Sequence, residues 1–460
     1  MIGYLFRTLT GRSALQKALR RHFRCRTSAD IVTASREFPI TSRVDVQTAL
    51  QRLFAEKPKT RLFGIHWQMN QETLTLAHLF SGGPFPIDVG PLQHDEVDIG
   101  DSTPVRCLKN GLWLSWEDQL PFALLLGSSM RFGQASGVHV EIGVSVGERG
   151  AHFSQDLFRD LELRVGAGNT YRGRVISLES YYDYSGRGGA VKVHRLHKVN
   201  RDDVILPQKT LTLLDRNVGK FIAARDHIKG LGFSAKKGLL FYGPPGTGKT
   251  HTIHYLASQL REHTTLLITA EQIGLLGEYF RLARFLQPAM MIIEDVDLIA
   301  RERVQMQSPG QEVLLNKLLN EMDGLGEDAD VLFILTTNRP DQLEPALASR
   351  PGRIDQAIEF PLPDEENRVK LVKLYSRGLQ VPDELLDLIV RRTKGVSPAF
   401  IKELMRRSGQ LQLELSKEAV LQPIAVNAAI EEMVFAGGAL NLKLLGASAT
   451  ELGLAAGPNA

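Results

Sequence analysis

Only two cysteines, Cys25 and Cys107, occur in 460 residues. Two thiols cannot build a disulfide framework or a four-cysteine zinc centre, so a reduced, cytosol-like compartment is expected and the location reads as cytoplasmic. No stretch approaches the roughly 18–20 consecutive apolar residues of a membrane span. The longest apolar run, Leu120-Pro121-Phe122-Ala123-Leu124-Leu125-Leu126, suits a buried strand or a short core helix. Net charge is also small, formally +3, which gives no case for nucleic acid as a partner. Acidic side chains are missing altogether from the first 29 residues, which carry seven Lys and Arg. There Ile2, Leu5, Phe6 and Leu9, and then Leu15, Ala18 and Leu19, recur at helical spacing. Such a basic amphipathic pattern fits a targeting segment, a membrane-surface helix, or a first helix with a solvated basic face. No apolar region with a small-residue cleavage site follows, so secretion is not expected.

What is present falls into successive compositions, and 460 residues is long for one compact core. Residues 1–200 mix short strand patterns with helical ones: an α+β domain without a motif tied to chemistry, expected to engage a client or partner. Residues 138–146 alternate apolar and polar with period two, as a half-buried strand does. Asn110-Gly111, set between residues 105–108 and 112–114, is a hairpin-turn signal, and residues 153–163 read as a helix. Ser185-Gly186-Arg187-Gly188-Gly189 suits a connector or an anion-binding backbone. From Arg201 strands alternate with helices. Residues 239–241, 265–268, 290–293 and 331–335 are continuously apolar, as parallel strands covered on both faces are. The expected division is a large α/β subdomain over 201–362, a helical lid over 363–436 and an Ala/Gly-rich tail over 437–460.

Gly243-Pro244-Pro245-Gly246-Thr247-Gly248-Lys249-Thr250 fits G-x-x-x-x-G-K-[ST] between a strand and a helix, the context a P-loop requires. The helix is credible because Ile253, Leu256, Ala257 and Leu260 share one face. Glycines let backbone N–H groups turn inward on phosphates at a helix N-terminus. Lys249 is expected on the β- and γ-phosphates and the Thr250 hydroxyl on Mg²⁺, with His251 next along the loop. ATP and Mg²⁺ are therefore the expected cofactors. A second apolar strand, Met291-Ile292-Ile293, runs into Glu294-Asp295-Val296-Asp297. Carboxylates at the end of a buried strand are costly unless a cation or a reaction needs them. Glu294 stands where a metal-side carboxylate is expected, Asp295 where the water-activating one is, and Asp297 reads as a cap or structural acid.

From about Arg201 to Met433 the chain resembles the AAA family of ATPases. Beyond the P-loop, the resemblance rests on Asn316-Lys317-Leu318-Leu319-Asn320-Glu321-Met322-Asp323-Gly324-Leu325 and Thr336-Thr337-Asn338-Arg339-Pro340. Further support comes from Arg350-Pro351-Gly352-Arg353-Ile354-Asp355 and Pro361-Leu362-Pro363-Asp364-Glu365. It implies a P-loop parallel sheet with a C-terminal helical lid, following the α+β N-terminal domain. It implies Asn338 as the polar sensor of the γ-phosphate or its attacking water. Arg350 and Arg353 become fingers on a neighbouring subunit's nucleotide, neutralising charge that develops in phosphoryl transfer. For Arg353 a brace to the sheet through Asp355 is the alternative. Gly395-Val396-Ser397-Pro398-Ala399-Phe400 resembles the second sensor segment, with Ser397 as N-cap and Ala399 near the adenine or ribose. Val204 and Ile205 lie where the family passes backbone beside the adenine.

Two departures qualify the resemblance. Most AAA proteins order the strand-end pair Asp then Glu, whereas here it is Glu then Asp. The mitochondrial Bcs-type proteins are similar in this, and in the approach through residues 215–221 and 237–242, so that branch is the expected one. Residues 270–280 hold no aromatic ahead of the helix where threading unfoldases grip a chain, and Tyr279 and Phe280 are expected to pack within that helix. The missing H-E-x-x-H excludes the AAA metalloprotease branch, and a single P-loop implies one ring. The expected function is Mg-ATP hydrolysis in a self-associated ring, six subunits with seven open, coupled to remodelling or translocating a protein client. The alternatives are an ATP-gated assembly switch with slow hydrolysis, and a nucleic-acid remodeller using the basic N-terminus.

Overall fold

The computed structural model describes residues 13–24, 28–67, 72–80, 87–131, 134–168, 170–179, 191–297, 318, 320–326, 329–341, 353–416 and 418–433. The chain divides into two compact units, Met1–Arg172 with Ile176–His194, and Gly173–Val175 with Arg195–Ala460. The Gly-rich break at 185–189, the tail at 437–460 and the N-terminal apolar set Ile2 to Leu9 lie outside the described residues.

The first unit is a sheet with helices on both faces. Its strands are β1 (Ile31–Pro39), β2 (Arg61–His66), β3 (Asp88–Gly90), β6 (Gly111–Glu117), β7 (Leu120–Arg131) and β8 (Gln134–Ser145), in the order β1-β8-β7-β6-β2-β3. All neighbouring pairs are antiparallel. A separate pair is formed by β4 (His94–Val97) and β5 (Val105–Leu108). The long apolar run of the sequence is β7. On one side of the sheet, α2 (Arg43–Ala55) and α4 (Glu148–Gly166) pack Leu50, Leu157, Phe158 and Leu161 against Phe122, Leu124, Val140 and Ile142. On the other, α1 (Ala14–Phe23) and α3 (Leu76–Phe80) set Leu15, Leu19, Leu76 and Leu79 against Leu112, Leu114, Ala123 and Leu125. Each Leu, Ile, Val or Phe among these contributes about 1.5–3 kcal/mol on full burial.

Two expectations fail here for physical reasons. Residues 138–144 are buried throughout, including His139 and Glu141, because a second helical layer covers the face that period-two reading leaves to water. Glu141 Oε2 accepts the Leu76 N–H at 2.6 Å, which ties α3 to that face. Asn110-Gly111 is not a hairpin: β5 pairs with β4, β6 pairs with β2 and β7, and Asn110 instead accepts the Ile65 N–H through Oδ1. The described part of the basic N-terminal segment is a core helix, begun by Ser13, whose side chain accepts the Gln16 N–H. His22, buried against Trp116, meets the Phe122 carbonyl at 3.0 Å, and burial lowers its pKa.

Following the first sheet, β9 (Val175–Leu178) and β10 (Val191–Val193) pair antiparallel. In the second unit α5 (Gln208–Leu214) and α6 (Phe221–Gly230) precede β11 (Lys237–Tyr242), and α7 (Lys249–Gln259) follows it. Next come β12 (Thr264–Ile268), α8 (Leu276–Phe285), β13 (Ala289–Ile293), β14 (Val331–Thr337) and β15 (Gln356–Glu359). These five strands run parallel in the order β12-β13-β14-β11-β15. Every residue of β13 and β14 is buried, which accounts for their continuous apolar sequences. Tyr242 pairs in register with Thr337, and Ile293 with Leu335 and Ile268. The loops after β11, β13 and β14 therefore leave from one edge, the carboxyl end at which open α/β sheets bind ligands.

The lid comprises α9 (Glu365–Tyr375), α10 (Asp383–Arg392), α11 (Pro398–Leu415) and α12 (Pro423–Glu431), packed around Val372, Ile389, Phe400, Leu404 and Val426. Asp364 caps α9 by accepting the Asn367 N–H at 2.9 Å. Ser397 caps α11 by accepting the Phe400 N–H at 3.2 Å, with Pro398 in the first turn. The architecture is a P-loop-like α/β core with a helical lid, preceded by an α+β unit.

Candidate active site

The loop from Gly243 to Gly248 joins β11 to α7, whose buried face is Lys249, Thr252, Ile253, Leu256 and Ala257. Gly248 occupies the N-cap position at φ 98°, a left-handed turn that glycine enters without steric cost. Thr247 donates its hydroxyl to the Pro244 carbonyl at 2.8 Å and closes the loop on itself. Lys249 is 7 % exposed. Its ammonium donates to the carbonyls of Gly243 at 2.8 Å and Pro244 at 3.0 Å, and to Asn338 Oδ1 at 2.8 Å. All three donors thus meet uncharged oxygens. Desolvation pulls its pKa down to about 8, against the opposing fields of Asp295 and Asp297.

The carboxylates divide between two sides of this cation. Thr250 donates its hydroxyl to Glu294 Oε1 at 2.8 Å, so the two residues expected at the metal are in contact. Asp295 turns the other way and accepts Asn338 Nδ2 at 3.1 Å. The turn is made by the main chain: Asp295 has φ 49°, and its N–H is held by Thr336 Oγ1 at 3.0 Å. The structure therefore gathers Lys249, Thr250, Glu294, Asp295 and Asn338 at one strand edge. Asp297, 3 % exposed, takes the Thr337 hydroxyl at 2.9 Å and the Asn338 N–H at 3.2 Å on the same oxygen. Its structural reading is met at β14, where it fastens the strand that carries Asn338.

Arg350 lies outside the described residues. Within its own chain Arg353 pairs with Asp323 and not with Asp355. It is buried, and its Nε donates to Asp323 Oδ1 at 2.9 Å while Nη2 meets the other carboxylate oxygen. Asp355 instead accepts the Gly238 N–H at 2.7 Å, leaving Arg353 to the nearer acid. Asp323 carried no signal of this role in sequence, since a pair 30 residues apart has no local pattern.

Val204 is buried in the core of the sheet, while Ile205 packs against the lid core. Both line an open groove of about 640 Å³ with Arg201, Lys370, Leu374 and Arg377. His251 extends to the carbonyl of Asp203, 3.1 Å from its Nε2. Ala399 donates its N–H to the Gly246 carbonyl at 3.2 Å, which brings the second sensor segment onto the loop tip. Pro245 lies exposed at that tip. Tyr279 and Phe280 are fully buried in α8, Tyr279 bonding the Leu267 carbonyl, and the turn before them, Ala270–Leu275, is 3₁₀. Among the described residues no group of three His, Cys, Asp or Glu could hold a metal alone, and no helix is long and apolar enough to cross a membrane. The described cysteine, Cys107, is a buried free thiol.

Residues 239–362 match the model of the ATPase family associated with various cellular activities (AAA). Among similar curated proteins, the 26S proteasome regulatory subunit S10B homolog B of Arabidopsis thaliana is 32% identical over 203 residues, 42% of this chain and 51% of its own. The proteasome-activating nucleotidase of Thermococcus onnurineus is 34% identical over 203 residues, again 42% and 51% of the two chains. That of Methanopyrus kandleri is 32% identical over 247 residues, 50% of this chain and 56% of its own. The chain spans about half the length of the curated relatives it matches. These relatives overturn the Bcs-type expectation: a Glu-Asp pair and a similar approach segment are too few positions to set a branch against likeness running through some 200 residues. Residues 239–362 are thus similar to the AAA family, and some 200 residues of the chain are similar to a 26S proteasome regulatory subunit and to proteasome-activating nucleotidases.

Proposed function

We propose that the chain hydrolyses Mg-ATP as one subunit of a ring, and uses the turnover to remodel or translocate a protein client engaged by its N-terminal unit. The buried Lys249 ammonium carries this reading. A desolvated cation at a helix N-terminus, satisfied only by neutral oxygens, is a site prepared for an anion. The cofactors fit the residues present: phosphate oxygens on Lys249 and the amides of the loop, and Mg²⁺ on the Thr250 hydroxyl and Glu294. Sites for this ion usually use one or two carboxylates and complete the shell with water and phosphate. The bound metal supplies neutralisation of the charge developing on the phosphates. Asp295 accepts the proton of the attacking water, and Asn338, poised between Lys249 and Asp295, orients that water. Arg350 from a neighbouring copy is the remaining charge, which makes a ring necessary; six subunits is the number taken. Arg353 braces its own subunit. A reduced, cytosol-like compartment agrees with the sparse cysteine content.

One observation favours a second reading, an ATP-gated assembly switch: the 3₁₀ turn Ala270–Leu275 offers no aromatic to grip a chain. Steady-state ATP hydrolysis of the purified protein separates the two, measured beside Asp295→Asn and Arg350→Ala. Turnover in the wild type that both variants abolish while still binding nucleotide supports the motor. Nucleotide binding without turnover in the wild type replaces it with the switch, and a wild type that binds no nucleotide removes both.

A further inference from the structure

Asp203 uses every polar group it has, and it uses them on three different elements. Its carbonyl meets His251 Nε2 of α7 at 3.1 Å; a carbonyl only accepts, so the imidazole carries its proton on Nε2. Its Oδ2 accepts the Asn200 N–H at 3.1 Å, which fixes the residue in its own turn. Its Oδ1 accepts Nη2 of Arg377, just past the end of the lid helix α9, at 2.7 Å. The next residues continue the bridge: Val204 and Leu206 are buried with the sheet, and Ile205 packs on the lid core. Arg377 also lines the groove that runs between these parts. At the loop tip, the lid is tied a second time through Ala399 N–H and the Gly246 carbonyl.

We infer that Asp203 and Arg377 form a clasp that holds the lid against the P-loop helix and so retains nucleotide in the groove. The inference rests on the nucleotide-binding reading above and adds two positioning residues to it. Rotating the lid to open the groove has to separate this pair, because Asp203 is anchored to α7 on one side and Arg377 moves with α9 on the other. His251 transmits the position of α7 to the clasp through the Asp203 main chain. Neither side chain of the pair reaches the reacting atoms through these contacts, so the clasp acts on residence of the ligand and not on the chemical step.

The test is the release rate of a fluorescent ADP analogue from full-length protein, followed by stopped flow with excess ADP as chase. Arg377 is 66% exposed, so its truncation opens no cavity. Arg377→Ala and Asp203→Asn are each expected to speed release about threefold, the scale of a partly screened ion pair, with Arg377→Lys within about twofold of wild type. KM for ATP rises in the first two variants while kcat holds. Amide exchange in the nucleotide-free protein is expected to quicken at α9. Wild-type release rates in both variants overturn the clasp alone. A wild type that captures no analogue at millimolar concentration overturns the nucleotide reading, and the clasp with it.

Discussion

Asp297 holds Asn338 through the main chain: one carboxylate oxygen accepts the Asn338 N–H at 3.2 Å and, beside it, the Thr337 hydroxyl at 2.9 Å. The residue is buried, so water cannot replace it. Asp297→Ala strands two donors, at about 1–3 kcal/mol for each group left unsatisfied. Denaturant unfolding is expected to show that loss, and ATP turnover to fall more than KM changes, because Asn338 is released while Lys249 keeps its two loop carbonyls and Thr250 keeps Glu294. Asp297→Asn keeps an acceptor oxygen and is expected to retain most of the stability. An alanine variant as stable as wild type would show that the contact carries nothing.

Lys249 gives a pH dependence whose sign is fixed by its depressed pKa. In the unfolded chain it titrates near the ordinary lysine value of about 10.4, and in the folded, ligand-free chain at about 8. Between these values the unfolded state binds more protons, so stability rises with pH across the window. The contribution is fully present above about 10.4 and is lost as pH falls through about 8. Thermal midpoints of wild type, taken relative to Lys249→Met, are expected to climb across roughly pH 8 to 10 in the absence of nucleotide. A flat difference would mean that the ammonium is not desolvated. Lys249→Met is also expected to lose nucleotide binding.

Gly246 leaves no space for a side chain. A Cβ there would lie 2.9 Å from Ala399 Cβ and 2.9 Å from Ser397 Oγ, on a backbone at φ 77°. Gly246→Ala is expected to push the α11 terminus from the loop, costing about 1–2 kcal/mol from the backbone alone. Nucleotide affinity should drop at least tenfold while the N-terminal unit melts unchanged, which differential scanning calorimetry and a binding titration can read separately.

Arg353 and Asp323 make a two-point pair in which the arginine is buried and the acid half exposed. Since Asp323 can rehydrate, Arg353→Ala is expected to cost only about 1–2 kcal/mol. The loss should persist at protein concentrations too low for assembly, because the contact lies within one chain. A defect seen only in assembled protein would return Arg353 to a role toward a neighbour.

The P-loop was legible because its signal is local: a strand, six residues of turn and a helix follow one another without a gap. The continuous apolar strands were legible for a similar reason, burial on both faces leaving no polar position to confuse. Local signals also misled. Asn110-Gly111 has the residues of a tight turn, yet strand partners are chosen by the whole sheet, and β5 found β4. His139 and Glu141 alternate as solvent-facing residues do, but no sequence window reveals that α1 and α3 cover that face. The pairs Arg353–Asp323 and Arg377–Asp203 join residues 30 and 174 positions apart, and neither partner choice has any periodicity to betray it.

The left-handed backbone at Asp295 determines which acid each slot can hold. Asp and Asn enter that region several times more readily than longer side chains, since their short polar groups can bond locally. At position 294 no such restriction applies, and the longer Glu reaches Thr250. Exchanging the two acids is therefore not a symmetric operation: a Glu at 295 would bear a left-handed backbone cost of roughly 1–2 kcal/mol, and a shorter Asp at 294 would lose its reach to Thr250. The order of the pair is a property of the main chain as much as of the side chains. A single substitution at either position therefore disturbs a different contact, the main-chain turn at 295 or the Thr250 bond at 294.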